Sequence, residues 1–140
     1  MESATMGRVL TEATIESLFD LWDNKRGLIP ADRIRRVTVP DALVDTGASF
    51  SWISRTRLER LGIVPSRTIP FRAIDGRLLE RDIAIAYVAS NGYTAPDVVV
   101  MAEEGEVEVM GAHSIEGLGL AADPVQKRLV PTVLLALSIC

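Results

Sequence analysis

Two dipeptides set the rhythm of this chain. Asp75-Gly76 and Asn91-Gly92 each stand between stretches rich in strand-forming residues. A tight two-residue hairpin needs positive φ at both central positions, and Asp, Asn and Gly tolerate this best. The first dipeptide therefore predicts a hairpin joining residues 71–74 to 77–79. The second predicts another, joining residues 82–89 to 96–101. Elsewhere Val, Ile and Thr recur in short runs between turn signals. A chain that doubles back at this spacing reads as mainly β, and regular hairpins favour a closed, barrel-like sheet. With 140 residues there is room for one domain, residues 1–140, and not for two ordinary ones.

The remaining elements follow from local pattern. Residues 8–17 alternate loosely and read as a first strand. Residues 18–22 continue with apolar side chains, but Ile15, Leu18, Phe19 and Trp22 also fit one helical face, so a short helix is the alternative there. Residues 24–32 form a loop, 34–39 a second strand, and 42–44 begin a third that runs into Asp45. The clearest helix follows. Ser54 is its N-cap, Leu58 and Leu61 share a face, and Gly62 stops it. Residues 107–110 read as a strand, Gly111 opens a turn, and Ser114 caps a brief helix through Leu118. Asp123-Pro124 begins a turn, and a final strand pair starts at Leu129.

Composition excludes several classes of function. The charge is −4 with both signs interleaved, so no basic stripe is available for nucleic acid. The one cysteine, Cys140, rules out an intrachain disulfide and fits a reducing compartment. The first residues lack a basic segment followed by an apolar run, so no secretion signal is read. The most apolar stretch, 133–140, is far shorter than the ~20 residues that span a bilayer. The expectation is a cytoplasmic protein without membrane contact.

The most informative segment is Ala42-Leu43-Val44-Asp45-Thr46-Gly47-Ala48-Ser49. An apolar strand delivers a carboxylate into a turn of small residues, and the glycine leaves space beside it. By itself this is also what a strand followed by an Asx-type turn looks like. Three further features follow in order. Leu58-Glu59-Arg60-Leu61-Gly62-Ile63 comes after the loop, and the hairpin at Asp75-Gly76 comes next. Val109-Met110-Gly111 then precedes a short helix, Gly119-Leu120, Asp123-Pro124-Val125 and Arg128-Leu129-Val130-Pro131. Together these residues resemble the retropepsin-like aspartic proteases, both retroviral enzymes and their single-domain bacterial relatives.

The resemblance implies a closed acid-protease barrel that works as a symmetric homodimer. The chain holds a single Asp-Thr-Gly, so the second carboxylate of the pair would come from a second copy. Asp45, Thr46 and Gly47 would form the catalytic loop, with Thr46 cross-linking the two loops beneath the carboxylates. Residues 69–82 would be the flap. Ala48, Ser49, Ile74, Asp75, Gly76 and Gly111 would bind a peptide substrate. Residues 132–140 would supply a strand to the dimer. The implied activity is that of an aspartic endopeptidase using water, with no cofactor and no metal.

Some positions depart from the family. Ala112 and His113 stand where retroviral members often carry a charged residue, and Ser49 stands where they carry an Asp. His113 is the only histidine, and with no Cys/His cluster it reads as structural or surface. Asp45, Ser49 and His113 do not make a serine-hydrolase triad, because no Gly-x-Ser-x-Gly elbow exists. Phe50 and Trp52 read as core, with Trp52 narrowing the cleft as the alternative. Ile69, Phe71, Ala73 and Ile74 fit pocket walls and core equally. The rival functions are a catalytically inactive dimeric peptide-binding module and a structural subunit of a larger assembly.

Overall fold

A computed structural model describes residues 8–136. The strands are β1 (Leu10–Glu16), β2 (Arg36–Val44), β3 (Ser51–Ser54), β4 (Arg67–Arg72), β5 (Leu78–Ser90), β6 (Tyr93–Ala102), β7 (Val109–Met110), β8 (Leu120–Asp123) and β9 (Arg128–Pro131). The helices are α1 (Leu18–Lys25), α2 (Arg55–Arg60) and α3 (Ala112–Gly117).

Seven strands form one sheet in the order β1-β2-β7-β3-β6-β5-β4. β1 also pairs with β5, through Thr14–Ala89, Ile15–Val88 and Glu16–Tyr87. That pairing bends the sheet into a nearly closed ring, as the hairpin spacing predicts. β8 and β9 pair separately, antiparallel. Inside the ring, Ile15, Val39, Ile53, Val88, Val99 and Met101 are buried with Leu58 and Leu61. This apolar burial is the main term favouring the fold.

Each hairpin takes its own route. At Asn91-Gly92 both residues have positive φ, 55° and 85°, and Ser90 pairs with Tyr93. This is the two-residue turn the dipeptide predicts. At Asp75-Gly76 only Gly76 has positive φ, 90°. The strands part earlier there, with Arg72 paired to Leu78. The Ala73 N–H donates to Arg77 O at 2.8 Å, and the Gly76 N–H to Ala73 O at 2.9 Å. The hairpin exists, but its loop is longer than two residues, and only the glycine enters the left-handed region.

Where residues 34–39 and 42–44 read as two strands, the structure has one. Thr11 faces Ala42 while Ala13 faces Val39, so β2 carries one extra residue at Pro40-Asp41. Proline lacks an N–H and fits such a bulge. Residues 18–22 belong to helix α1, the alternative reading. The Ser17 hydroxyl accepts from the Asp20 N–H at 3.3 Å, a cap that ends β1 and starts the helix. α2 begins and ends as expected, with Ser54 capping the Arg57 N–H and Gly62 at φ 72°. α3 differs from expectation. Gly111 is its N-cap, and Ser114 lies inside the helix with its hydroxyl turned to other partners.

Residues 132–136 are not a strand in this single chain, and Val133, Leu134 and Leu135 are exposed. Residues 137–140, including Cys140, lie outside the described residues. Among the described residues no helix is long and apolar enough to cross a membrane.

Candidate active site

The strand order builds the site. β7 lies between β2 and β3, parallel to β2 and antiparallel to β3. The segment 45–50 connects β2 to β3, so it must pass over the end of β7. The chain leaving β7 at Gly111 then runs beneath that segment. The Asp45 N–H donates to Met110 O at 3.0 Å, and the Ala112 N–H to Ala48 O at 2.8 Å. A Cβ on Gly111 would stand 2.4 Å from Phe50 O and 2.9 Å from Ala48 O. Glycine is required there for close approach of two backbones, not for its φ of −92°.

Within the loop the Gly47 N–H donates to Asp45 Oδ1 at 2.9 Å. The Ala48 N–H donates to Asp45 O at 3.1 Å, closing the turn. A side chain at position 47 would come within 3.2 Å of Asp45 Oδ1. Glycine thus leaves the carboxylate room and supplies it with a donor. Asp45, Thr46, Gly47 and Ser49 are exposed in the single chain.

A cleft of about 660 Å³ opens above this loop. Asp45, Gly47, Ala48, Ser49 and Trp52 form its floor, and the β4–β5 hairpin covers it with Phe71, Arg72, Ala73, Ile74 and Leu79. Trp52 is half-buried and faces this cleft, edge-on to Phe71 at 5.3 Å, so the core reading of Trp52 is corrected. Its parity explains this. In the extended run 51–54, Ser51 and Ile53 point inward and Trp52 outward. β3 had no clear sequence signal, so this parity was not legible.

The remaining expected site residues are placed as follows. Ala48, Ser49 and Ile74 line the cleft, and Ile74 is fully exposed at the hairpin end. Asp75 and Gly76 form the turn and lie outside the lining, as does Ile69. Asp75 pairs with Arg77 at 2.7 Å. The Arg77 backbone N–H first, and then its guanidinium, hold the Asp75 carboxyl below its ordinary range. Gly111 is buried behind the loop, where it carries the floor without touching the cleft.

A second cleft of about 600 Å³ lies between α2 and residues 102–108, away from Asp45. Its Arg55 and Arg57 are already paired with Asp82, Glu103 and Glu108. Among the described residues no group of three or more His, Cys, Asp and Glu side chains gathers to hold a metal ion.

The acidic residue thus sits in a small turn beside parallel strand ends, and the span that holds it is matched by a known family. The model of the aspartyl protease family matches residues 33–126, which run from β2 into the β8–β9 turn. The chain belongs to this retropepsin-like aspartyl protease family. The match includes the Asp45 loop, the β4–β5 hairpin and Gly111. No curated protein matches the chain. Within the aspartyl protease, β1, α1 and β9 lie outside the matched span, yet β1 supplies the pairing that nearly closes the barrel.

Proposed function

We propose that this aspartyl protease is an endopeptidase that works as a symmetric homodimer, with Asp45 facing the Asp45 of a second copy. The observation that carries the reading is one exposed carboxylate, on a hydrogen-bonded small-residue turn, at the floor of a cleft under a hairpin. One carboxylate does not suffice for this chemistry, and the sequence has a single Asp-Thr-Gly. Two-fold pairing supplies the other. The exposed apolar run Val133–Leu134–Leu135 is suited to burial against that second copy.

Two facing carboxylates share one proton, because like charges a few ångströms apart do not both ionise. The charged member takes a proton from a water lying between them. The protonated member donates to the carbonyl of the scissile peptide bond. Water attacks, a tetrahedral intermediate forms, and the departing amine receives a proton. No covalent enzyme intermediate arises. The substrate lies extended between loop and hairpin, pairing through its backbone. Trp52, Phe71, Ile74 and Leu79 make the walls apolar, which favours apolar side chains beside the cleaved bond.

The test is cleavage of a diverse peptide pool between pH 3 and 8 by the wild type and by Asp45→Asn, read by mass spectrometry. Cleavage by the wild type alone is expected. Equal cleavage by both proteins would sink the mechanism. Peptide binding by the wild-type dimer without turnover would favour the non-catalytic binding module.

A further inference from the structure

Behind the Asp45 loop, side chains from three separate segments close into one polar chain. Its centre is Asp97 on β6, a carboxylate only 6 % exposed. A buried carboxylate is tolerated when its oxygens are bonded, and Asp97 is well supplied. Oδ1 receives the Val98 N–H at 2.8 Å and lies 2.6 Å from His113 Nδ1. Oδ2 receives the hydroxyl of Ser114. An ionised carboxylate only accepts, so Nδ1 of His113 carries the proton.

The chain continues away from Asp97. Ser114 Oγ lies 2.5 Å from Ser51 Oγ, and Ser51 Oγ accepts the Gly111 N–H at 2.9 Å. Ser114 gives its proton to Asp97, so it accepts from Ser51. Every donor therefore points the same way, from the Gly111 amide toward the carboxylate, and aligned bonds of this kind reinforce one another. The second arm runs through His113. Its backbone N–H donates to Ser49 O at 2.9 Å. Its ring meets Phe50 edge-on at 5.6 Å, and Phe50 meets Phe71 of β4 at 6.4 Å. The first arm ends at Gly111, which packs beneath the loop that presents Asp45. The second ends on that loop at Ser49 and Phe50 and reaches the base of the hairpin above it.

We infer that Asp97 and His113 are positioning residues for Asp45. Asp97 fixes the backbone under residues 48–50 through Ser114, Ser51 and the Gly111 amide. It fixes the His113 ring against Phe50 directly. Neither residue lines the cleft. Their action is on the direction in which the Asp45 carboxylate is held. This inference rests on the endopeptidase reading above.

The experiment uses the full chain with Asp97→Asn, His113→Phe, His113→Asn and the double variant Asp97→Asn/His113→Phe. Turnover on a cleaved peptide is expected to fall about tenfold or more in kcat for Asp97→Asn and His113→Phe, with KM within about threefold. His113→Asn keeps an N–H near Nδ1 and should regain the part of the loss that comes from the Asp97 bond. The double variant should lose less than the product of the two single losses, because the residues share the Asp97–His113 contact. Unchanged kcat in folded variants, a change confined to KM, or losses that multiply would overturn the inference. Amide hydrogen exchange gives a readout independent of turnover. The Ala112 and His113 amides should exchange at least tenfold faster in His113→Phe, and the β1–β2 amides should not. His113 is half-exposed, so this variant can be read even if Asp97→Asn fails to fold. A wild type without turnover sinks the peptidase reading and leaves exchange to decide whether the brace exists. Exchange unchanged at both amides would remove it.

Discussion

Gly111→Ala tests the loop architecture with a single methyl group. The φ of −92° is acceptable to alanine, so no backbone strain is introduced and the effect is purely steric. The new Cβ would meet Phe50 O at 2.4 Å and Phe50 C at 2.5 Å, whereas ordinary contact begins at 3.4 Å. The segment at Phe50 must therefore retreat by about 3.4 − 2.4 = 1.0 Å. Backbone cannot swing away as a side-chain end can, and overpacking of this kind costs about 3 kcal/mol. For a domain of this size that lowers Tm by roughly 10 °C. On the proposed function, a displacement of about 1 Å at the Asp45 loop should also cost about a hundredfold in kcat. Gly117→Ala is the control, since its nearest neighbour is Ala95 Cβ at 3.9 Å and the site is helical. That change should leave Tm level or raise it slightly. Thermal unfolding by circular dichroism, at equal protein concentration, separates the two. A Gly111→Ala protein with wild-type Tm and kcat would refute the claim that two backbones touch there.

Other expectations follow from the packing. Asp20 accepts from the Arg35 backbone N–H and its guanidinium, and the side-chain bond is the main cause that holds the carboxyl below its ordinary range. A depressed carboxyl stabilises the fold in full above its unfolded pKa of about 4 and loses that contribution as pH falls through the native value. Asp20→Asn should therefore cost about 1–2 kcal/mol at pH 7, tempered by the half-exposure of Arg35, and progressively less in acid. Urea titrations at pH 7 and pH 3 would show it; an equal deficit at both would contradict the ion-pair account. Leu58 is fully buried between α2 and the barrel, so Leu58→Ala should cost about 3 kcal/mol by denaturant midpoint. Activity per folded molecule should be unaffected, because Leu58 lies outside the cleft.

Much of the fold was legible because its signals are local. Asn91-Gly92 predicts its own φ angles, and Ser54, Leu58 and Gly62 mark α2 at both ends. At residues 18–22, apolar side chains suit either period. Ser17 decides for a helix, since its hydroxyl caps the Asp20 N–H. The two strands expected on either side of Pro40 are one strand. A bulge is defined by the partner, and only the register with β1 reveals it.

The site divides along the same line. Asp45-Thr46-Gly47 could be read from the sequence because strand, carboxylate and glycine are neighbours in the chain. Gly111 could be placed in the site, yet its role as the point where two backbones touch depends on β7 passing under the loop. Asp97 sits in a strand reading as ordinary β. Its parity with Val99 and Met101 was the one hint that it faces inward. Its partners Ser51, His113 and Ser114 come from two other segments, and no local rule joins them. The sequence by itself determined the turns, the helix ends and the small-residue acidic loop, because each depends on backbone preferences within a few residues. Only the tertiary structure decided which strands pair to close the barrel, the cleft-facing side of Trp52 and the bonds of Asp97. Each of these depends on which strand lies beside which, and long-range pairing sets that.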